Sequence, residues 1–289
     1  MKTDPECLDC VIRQGNKVAE NLIDDPNLIE TVKNGIKKYV QNLTEKEMEL
    51  SPAEISTPMY YLLRDLTGII DPFEKQKKTQ NKNALAIYRD LLESVREDED
   101  QLHKSARISV IGNVIDCGVN SDIVMLEVEL ETALKQPLEV DDFDEFRKFL
   151  KDAKEILLIT DNAGEIVFDK CFIETLKRFY PEIKIYVSVK SYPILNDATM
   201  KDARMIGLDS VCKIVTTGSN YIGTPRRFVS KKFVELMDRV NVVLAKGQGN
   251  FETLEGSGKK FFFLLKAKCP VIARHLKVSL GAHVFKQSN

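Results

Sequence analysis

From Glu155 onward, five short and almost wholly apolar runs recur: EILLIT (155–160), KIYVSV (184–189), CKIVTT (212–217), NVVLA (241–245) and KFFFLLKA (260–267). Segments with helical spacing separate them at 165–180, 199–206 and 228–239. A strand with one face in water alternates apolar and polar side chains, so runs that are apolar on both faces must be covered on both. The intervening helices supply that cover, and a helix between two strands is the connection that parallel pairing requires. The pattern predicts a doubly wound parallel α/β sheet with right-handed crossovers.

Upstream the spacing is helical. Residues 11–24 place Val11, Val18, Leu22 and Ile23 near one stripe, and 27–43 repeat the pattern with Leu28, Val32, Ile36 and Val40. Ser51-Pro52-Ala53-Glu54 reads as a helix start, with Pro at the first helical position and an acid in the first turn. Residues 83–105 are expected to form one long amphipathic helix, with Ala86, Tyr88, Leu91, Leu92 and Val95 on its apolar side. The charged stretch 141–154 carries Phe143, Phe146 and Leu150 at helical spacing and is read as a solvated helix rather than a tail. The expected division is a mainly helical domain at 1–135 and an α/β metal- and substrate-binding domain at 136–289.

Charge and cysteine usage narrow the function. Forty-four acidic against 42 basic side chains leave a net charge of −2, which argues against nucleic acid as a partner but leaves room for a local anion pocket. No apolar run approaches the roughly 18 residues needed to span a bilayer, and the polar start MKTDPECLDC is unlike a secretory signal. Six cysteines in 289 residues is ordinary usage for a reducing compartment, so a cytoplasmic location is expected. Oligomeric state leaves no mark in the sequence.

Ligands of an open parallel sheet bind beyond the carboxyl ends of its strands, so the residues just past each run are informative. Asp161-Asn162-Ala163-Gly164-Glu165 comes after the first, Leu195-Asn196-Asp197 shortly after the second, and Thr217-Gly218-Ser219-Asn220 after the third. Lys246-Gly247-Gln248-Gly249-Asn250 comes after the fourth, and the fifth runs into Lys266 and Lys268. Asp161, Asn162 and Asp197 offer hard oxygen ligands suited to Mg²⁺ or Mn²⁺. A helix beginning near Gly164 offers backbone N–H groups to an anion, and late lysines offer mobile positive charge to phosphate. Each motif alone has a plainer reading: Asp161-Asn162 and Asn196-Asp197 both suit helix N-caps, and the lysines suit a surface. Their recurrence at one edge favours a site for metal-assisted phosphoryl chemistry.

Other motifs fail on inspection. Gly247-Gln248-Gly249-Asn250-Phe251-Glu252 has Glu where a dinucleotide fingerprint needs its third glycine, and Glu255-Gly256-Ser257-Gly258-Lys259-Lys260 lacks the first glycine and the Ser or Thr of a phosphate loop. His103, His275 and His283 are too scattered for a zinc site. Cys7-Leu8-Asp9-Cys10 is a single CxxC pair, unable to fill a four-ligand site without help, for instance from Cys117 beside Asp116. Two packed thiols at a helix start are the plainer reading, and the pair's purpose stays open.

The ordered set Asp161-Asn162-Ala163-Gly164-Glu165, Leu195-Asn196-Asp197 and Lys246-Gly247-Gln248-Gly249-Asn250-Phe251-Glu252 resembles the damage-control metal-dependent phosphatase family, long catalogued as domain of unknown function 89. The N-terminal CxxC and Gly112-Asn113-Val114-Ile115-Asp116 resemble its prokaryotic branch, and the likeness covers nearly the whole chain. It implies a helical domain joined to a Rossmann-like α/β domain with a divalent-metal site in the cleft, holding Mn, Mg, Co or Ni. Asp161, Asn162 and Asp197 would be the metal ligands, and Asp161 with Glu165 and Lys268 would make the catalytic group, Glu165 touching substrate or a nearby water. Gln248 and Asn250 would line the substrate pocket, with Gly164, Lys246 and Asn113 as further substrate contacts. Leu265-Lys266-Ala267-Lys268 stands where eukaryotic relatives carry Arg-Thr-x-Lys, which leaves the choice of phosphate-binding lysine between Lys266 and Lys268.

The reaction implied is hydrolysis of a small phosphorylated metabolite: a sugar phosphate, a damaged nucleotide or a phosphopantetheine-like compound. Attack by Asp161 through an aspartyl-phosphate ranks second, since the likeness uses that carboxylate as a ligand. Two other classes are weighed. An S-adenosylmethionine-dependent methyltransferase would want a glycine-rich loop after the first strand, and none is present. A non-catalytic metal or redox module built on Cys7 and Cys10 would tolerate loss of the acidic positions, yet none is lost.

Overall fold

The computed structural model describes residues 1–112, 123–258 and 261–288. Eight helices come first: α1 (Pro5–Leu22), α2 (Pro26–Gln41), α3 (Glu45–Met48), α4 (Pro52–Thr67), α5 (Glu74–Ala86), α6 (Tyr88–Arg96), α7 (Gln101–Ile111) and α8 (Ile123–Lys135). Strands and helices then alternate as β1 (Val140–Asp141), α9 (Phe143–Leu150), β2 (Glu155–Ile159), α10 (Glu165–Phe179), β3 (Lys184–Val189) and α11 (Met200–Met205). After a 3₁₀ turn at Leu208–Ser210 come β4 (Lys213–Thr216), α12 (Lys231–Arg239), β5 (Val242–Lys246), α13 (Gln248–Leu254), β6 (Phe261–Lys266), α14 (Pro270–Leu276) and β7 (His283–Gln287).

The strands join in one sheet with the order β1-β7-β6-β5-β2-β3-β4 among the described residues. All pairs are parallel except β6 with β7. Both faces are buried, as the apolar runs require. One face carries Ile156, Leu158, Val187, Leu244 and Phe262 in a core shared with α7, α9 and α10. The other carries Leu157, Ile159, Val243, Phe261 and Phe263 against α12, α13 and α14. The doubly wound, Rossmann-like α/β architecture predicted from the runs is the one found. From β2 the order steps to β3 and β4 on one side and to β5 and β6 on the other, so the topological switch lies between β2 and β5, where ligand sites of such sheets form.

Two expectations need revision. Residues 83–105 are not one helix: α5 ends at Ala86, α6 begins directly after it, and α7 restarts at Gln101 with Asp100 as its N-cap. The apolar spacing persists across the breaks because Leu91, Val95, Leu102 and Ala106 serve the same core. Strands β1 and β7, at and next to one edge of the sheet, and the short helices α13 and α14 lie outside the predicted pattern, since two to seven residues are too few to display a period. The first four helices keep a separate core of Val11, Val32, Ile36, Ile55 and Met59, whereas α5 to α8 share the core of the sheet.

Candidate active site

The end of β2 and the loop after β3 are stitched together by backbone hydrogen bonds. Ala163 N donates to Asn196 O at 2.9 Å and Ala198 N to Asp161 O at 2.8 Å, forming an antiparallel bridge between Asn162 and Asp197. This brings Asp161, Asn162 and Asp197 onto one wall. Neither plainer reading as a helix cap holds. α10 has Gly164 at its N-cap and no side-chain cap bond. α11 is capped by Thr199 in a capping box with Asp202.

Asn162 Nδ2 donates to Asp161 Oδ2 at 3.0 Å and to Glu165 Oε2 at 3.3 Å. Two carboxylates facing one amide settle which end of it is nitrogen and leave the carbonyl oxygen as the acceptor end. The Lys190 ammonium lies 3.4 Å from Asp197 Oδ2 and also donates to Tyr221 O at 2.7 Å and to Gly223 O. Gly247, with φ +80°, leaves room for Asp161: a Cβ there would sit 2.0 Å from Oδ2. Two carboxylates and an amide oxygen are a hard donor set that fits a divalent cation such as Mg²⁺ or Mn²⁺. Among the described residues no three His, Cys, Asp or Glu side chains group so as to hold a metal ion, so a cation here would need the Asn162 amide oxygen beside the two aspartates.

These residues line a cavity of about 680 Å³ between the sheet edge and helices α1, α4, α13 and α14. Asp161, Asn162, Asp197, Gln248 and the exposed Lys268 all border it. Gln248 also donates to Glu252 Oε1 at 2.9 Å and to Cys269 Sγ at 3.6 Å. Four other predicted contacts are placed elsewhere. Lys246 is fully buried on the far side of the sheet edge, its Nζ 2.6 Å from Glu165 Oε1, 2.7 Å from Asp169 Oδ1 and 2.6 Å from Ser109 O. Asn250 is spent on structure: its amide donates to Thr160 O and Lys246 O and accepts from Thr224 Oγ1. Gly164 N donates to Asn81 Oδ1 at 2.7 Å, so it is not an anion donor. Lys266 sits on β6 opposite His283 of β7, away from the cavity. Glu165 is buried behind Asn162 and is not among the residues that border the cavity. Asn113 lies outside the described residues.

Burial dominates the electrostatics. It raises the Asp169 carboxyl to about 6 against the pull of Lys246. It also works against the Lys246 ammonium, but Asp169 and Glu165 outweigh it and hold that group charged. On the cavity wall, burial lifts Glu252 to about 7, although Gln248 and the Ala53 amide both stabilise its anion. Cys7 is raised to about 11 and Cys269 is also raised, again by burial, so both are thiols at neutral pH.

The cavity wall supplied by α1 was missed from sequence. Glu6, Cys7, Asp9, Cys10, Arg13 and Gln14 all border it, together with Ala53 and Ser56 of α4 and Glu252 of α13. The CxxC motif was the available signal, since it marks the helix that covers the site, but nothing local in sequence links it to Asp161.

The family model for the damage-control phosphatase ARMT1-like domain matches residues 3–284. A curated damage-control phosphatase from Pyrococcus horikoshii is 36% identical over 290 residues, covering 98% of this chain and 97% of that protein. A damage-control phosphatase from Archaeoglobus fulgidus is 28% identical over 292 residues, covering 99% of each. The crystal structure of a DUF89 family protein from Pyrococcus horikoshii superposes over all of both chains with a TM-score of 0.90 at 35% sequence identity.

Proposed function

This chain belongs to the damage-control phosphatase ARMT1-like family, and from that premise we propose that it is a cytoplasmic, divalent-metal-dependent phosphatase acting on phosphomonoesters of small metabolites. The observation that carries the reading is the convergence of Asp161, Asn162 and Asp197 at the switch point of the sheet, none used as a cap, on the cavity that Lys268 also borders. When bound, a divalent cation supplies Lewis acidity toward a phosphoryl oxygen and acidifies water. Asp161, Asn162 and Asp197 are the residues that would hold it. Lys190 offsets part of their charge from behind, and the Asn196–Ala163 and Asp161–Ala198 backbone bonds keep the two loops in register.

Lys268, on the exposed wall, offers its ammonium to the equatorial phosphoryl oxygens, where charge gathers as the ester bond breaks. α1 and α4 roof the cavity and restrict water around the reacting group. A volume of about 680 Å³ suits a metabolite of sugar-phosphate size, and Asp9, Arg13, Gln14 and Ser56 offer polar contacts to hydroxyl groups. Damaged nucleotides and phosphopantetheine-like compounds belong to the same substrate panel.

The test is turnover of p-nitrophenyl phosphate and of that panel with Mn²⁺, Mg²⁺, Co²⁺ or Ni²⁺, with and without chelator. Chelator should abolish turnover, and Asp161→Ala or Asp197→Ala should lower it at least about a hundredfold, the scale of losing several kcal/mol of charge stabilisation. Chelator-resistant turnover, or full activity in Asp161→Ala, overturns the proposal.

A further inference from the structure

Lys246 closes β5 with its side chain sealed beneath the cup, in a position that stability alone does not explain. One ammonium and two carboxylates, Glu165 and Asp169, share a site from which water is excluded. Burying such a group is usually no more stable than filling the same space with apolar side chains. Its connections run in one direction. Ser109 of α7 and Asp169 of α10 hold the ammonium from behind, and Ser109 Oγ donates to Asp169 Oδ1 at 2.6 Å. In front, Lys246 takes Oε1 of Glu165, and the other oxygen of that carboxylate receives Asn162 Nδ2.

We propose that Lys246 is a positioning residue of the cation cup, holding Glu165 so that its second oxygen fixes the sense of the Asn162 amide and presents the amide oxygen to the cation. The inference rests on the reading of Asp161, Asn162 and Asp197 as that cup. An amide can present nitrogen or oxygen in nearly the same space, and only the oxygen is a ligand. Asp161 alone would accept from the Asn162 nitrogen in one orientation; Glu165 on its other side makes the reverse orientation costly, because it would set the amide oxygen against two carboxylates. Glu165 can do so only while its own rotamer is held, and Lys246 at 2.6 Å is the charged partner that holds it. Outer partners of this kind typically alter cation affinity by about 10- to 100-fold.

The experiment is Mn²⁺ binding to the folded protein by titration calorimetry, with circular dichroism as the check on folding. A glutamine at 165 has one acceptor where glutamate has two, so Glu165→Gln cannot serve Lys246 and Asn162 together, and it leaves the Lys246–Asp169 pair balanced. Lys246→Met and Glu165→Gln should each weaken Mn²⁺ binding by about 10- to 100-fold. The double variant should be no weaker than the poorer single, because the two act through one chain. Asp169→Asn, which keeps Lys246 on Glu165, should stay within about threefold of wild type, and it is the background for Lys246→Met should that variant alone fail to fold. Unchanged affinity in folded Lys246→Met, multiplying penalties in the double variant, or an equal loss in Asp169→Asn would each overturn the inference while leaving the cup intact. Wild-type Mn²⁺ binding that survives Asp161→Ala would instead overturn the cup, and this inference with it.

Discussion

Gly247 has φ +80° and ψ 164°, a region essentially reserved for glycine that costs a residue with a Cβ about 1–3 kcal/mol, and that Cβ would lie 2.0 Å from Asp161 Oδ2. The second effect is the larger, because the overlap can be relieved only by moving the carboxylate or the backbone of the β5 turn. Gly247→Ala is therefore expected to lose at least about 1–3 kcal/mol of stability and, where it folds, to lose turnover at least about a hundredfold, as the metal-ligand variants do. Melting and turnover measured together check it, and an active Gly247→Ala would mean that Asp161 is free to work elsewhere. At this scale the acidic cup could be read from sequence and its lysine could not. Lys246 comes after Val242 and Leu244 at a spacing of two, so it shares their face of the sheet, which packs on α7 and α10. Strand periodicity groups these residues but does not say which face borders the cavity. Lys268, beyond the end of β6, is released from that alternation and reaches the wall.

Helix α4 shows how an element is finished by residues from distant parts of the chain. Ser51 and Glu54 form the capping box visible in sequence. Glu252 of α13 adds its Oε2 as acceptor for the Ala53 amide at 2.9 Å, which docks the N-terminus of α4 against the sheet edge. That carboxyl is raised to about 7 by burial, so between about pH 4.5 and 7 the folded chain keeps a proton that the unfolded chain has released. Its contribution to stability therefore falls as pH rises through that window and is flat above it, a swing of about 3 kcal/mol at most. Glu252→Gln removes the titration, and Gln248 can turn its amide to accept from the new one, because its Oε1 has no hydrogen-bond partner. The melting temperature of Glu252→Gln relative to wild type should thus be more favourable at pH 8 than at pH 5. An equal difference at both values would remove Glu252 from the linkage. The run at 83–105 carries the matching lesson: periodicity reports which residues face a core, and three helices on one core keep the period of a single long one.

Across the whole molecule, the cavity is bordered by α1, α4, the residues just past β2, the loop after β3, α13 and the start of α14. A ligand seated among elements this distant stabilises all of them against unfolding, by RT ln(1 + [L]/Kd), or about 2.7 kcal/mol at a hundredfold excess over Kd. Mn²⁺ at that excess should raise the melting temperature by about 5 °C in wild type and not in Asp161→Ala or Asp197→Ala. Equal shifts in all three proteins would place the bound ion outside the cup. The five central strands and the longer helices that cover them were legible in sequence, because short β-rich runs apolar on both faces, separated by helical spacing, fit strands buried between helices, whereas β1, β7, α13 and α14 were too short to show a period. The acidic strand ends were determined as well, since parallel strands place their carboxyl ends at one edge. Tertiary structure alone decided which charges reach the cavity and which lie sealed beneath it, and it alone brought α1 over the site. Side-chain direction at a strand end and the docking of a distant helix depend on contacts between residues far apart in the chain, and no local pattern carries that information.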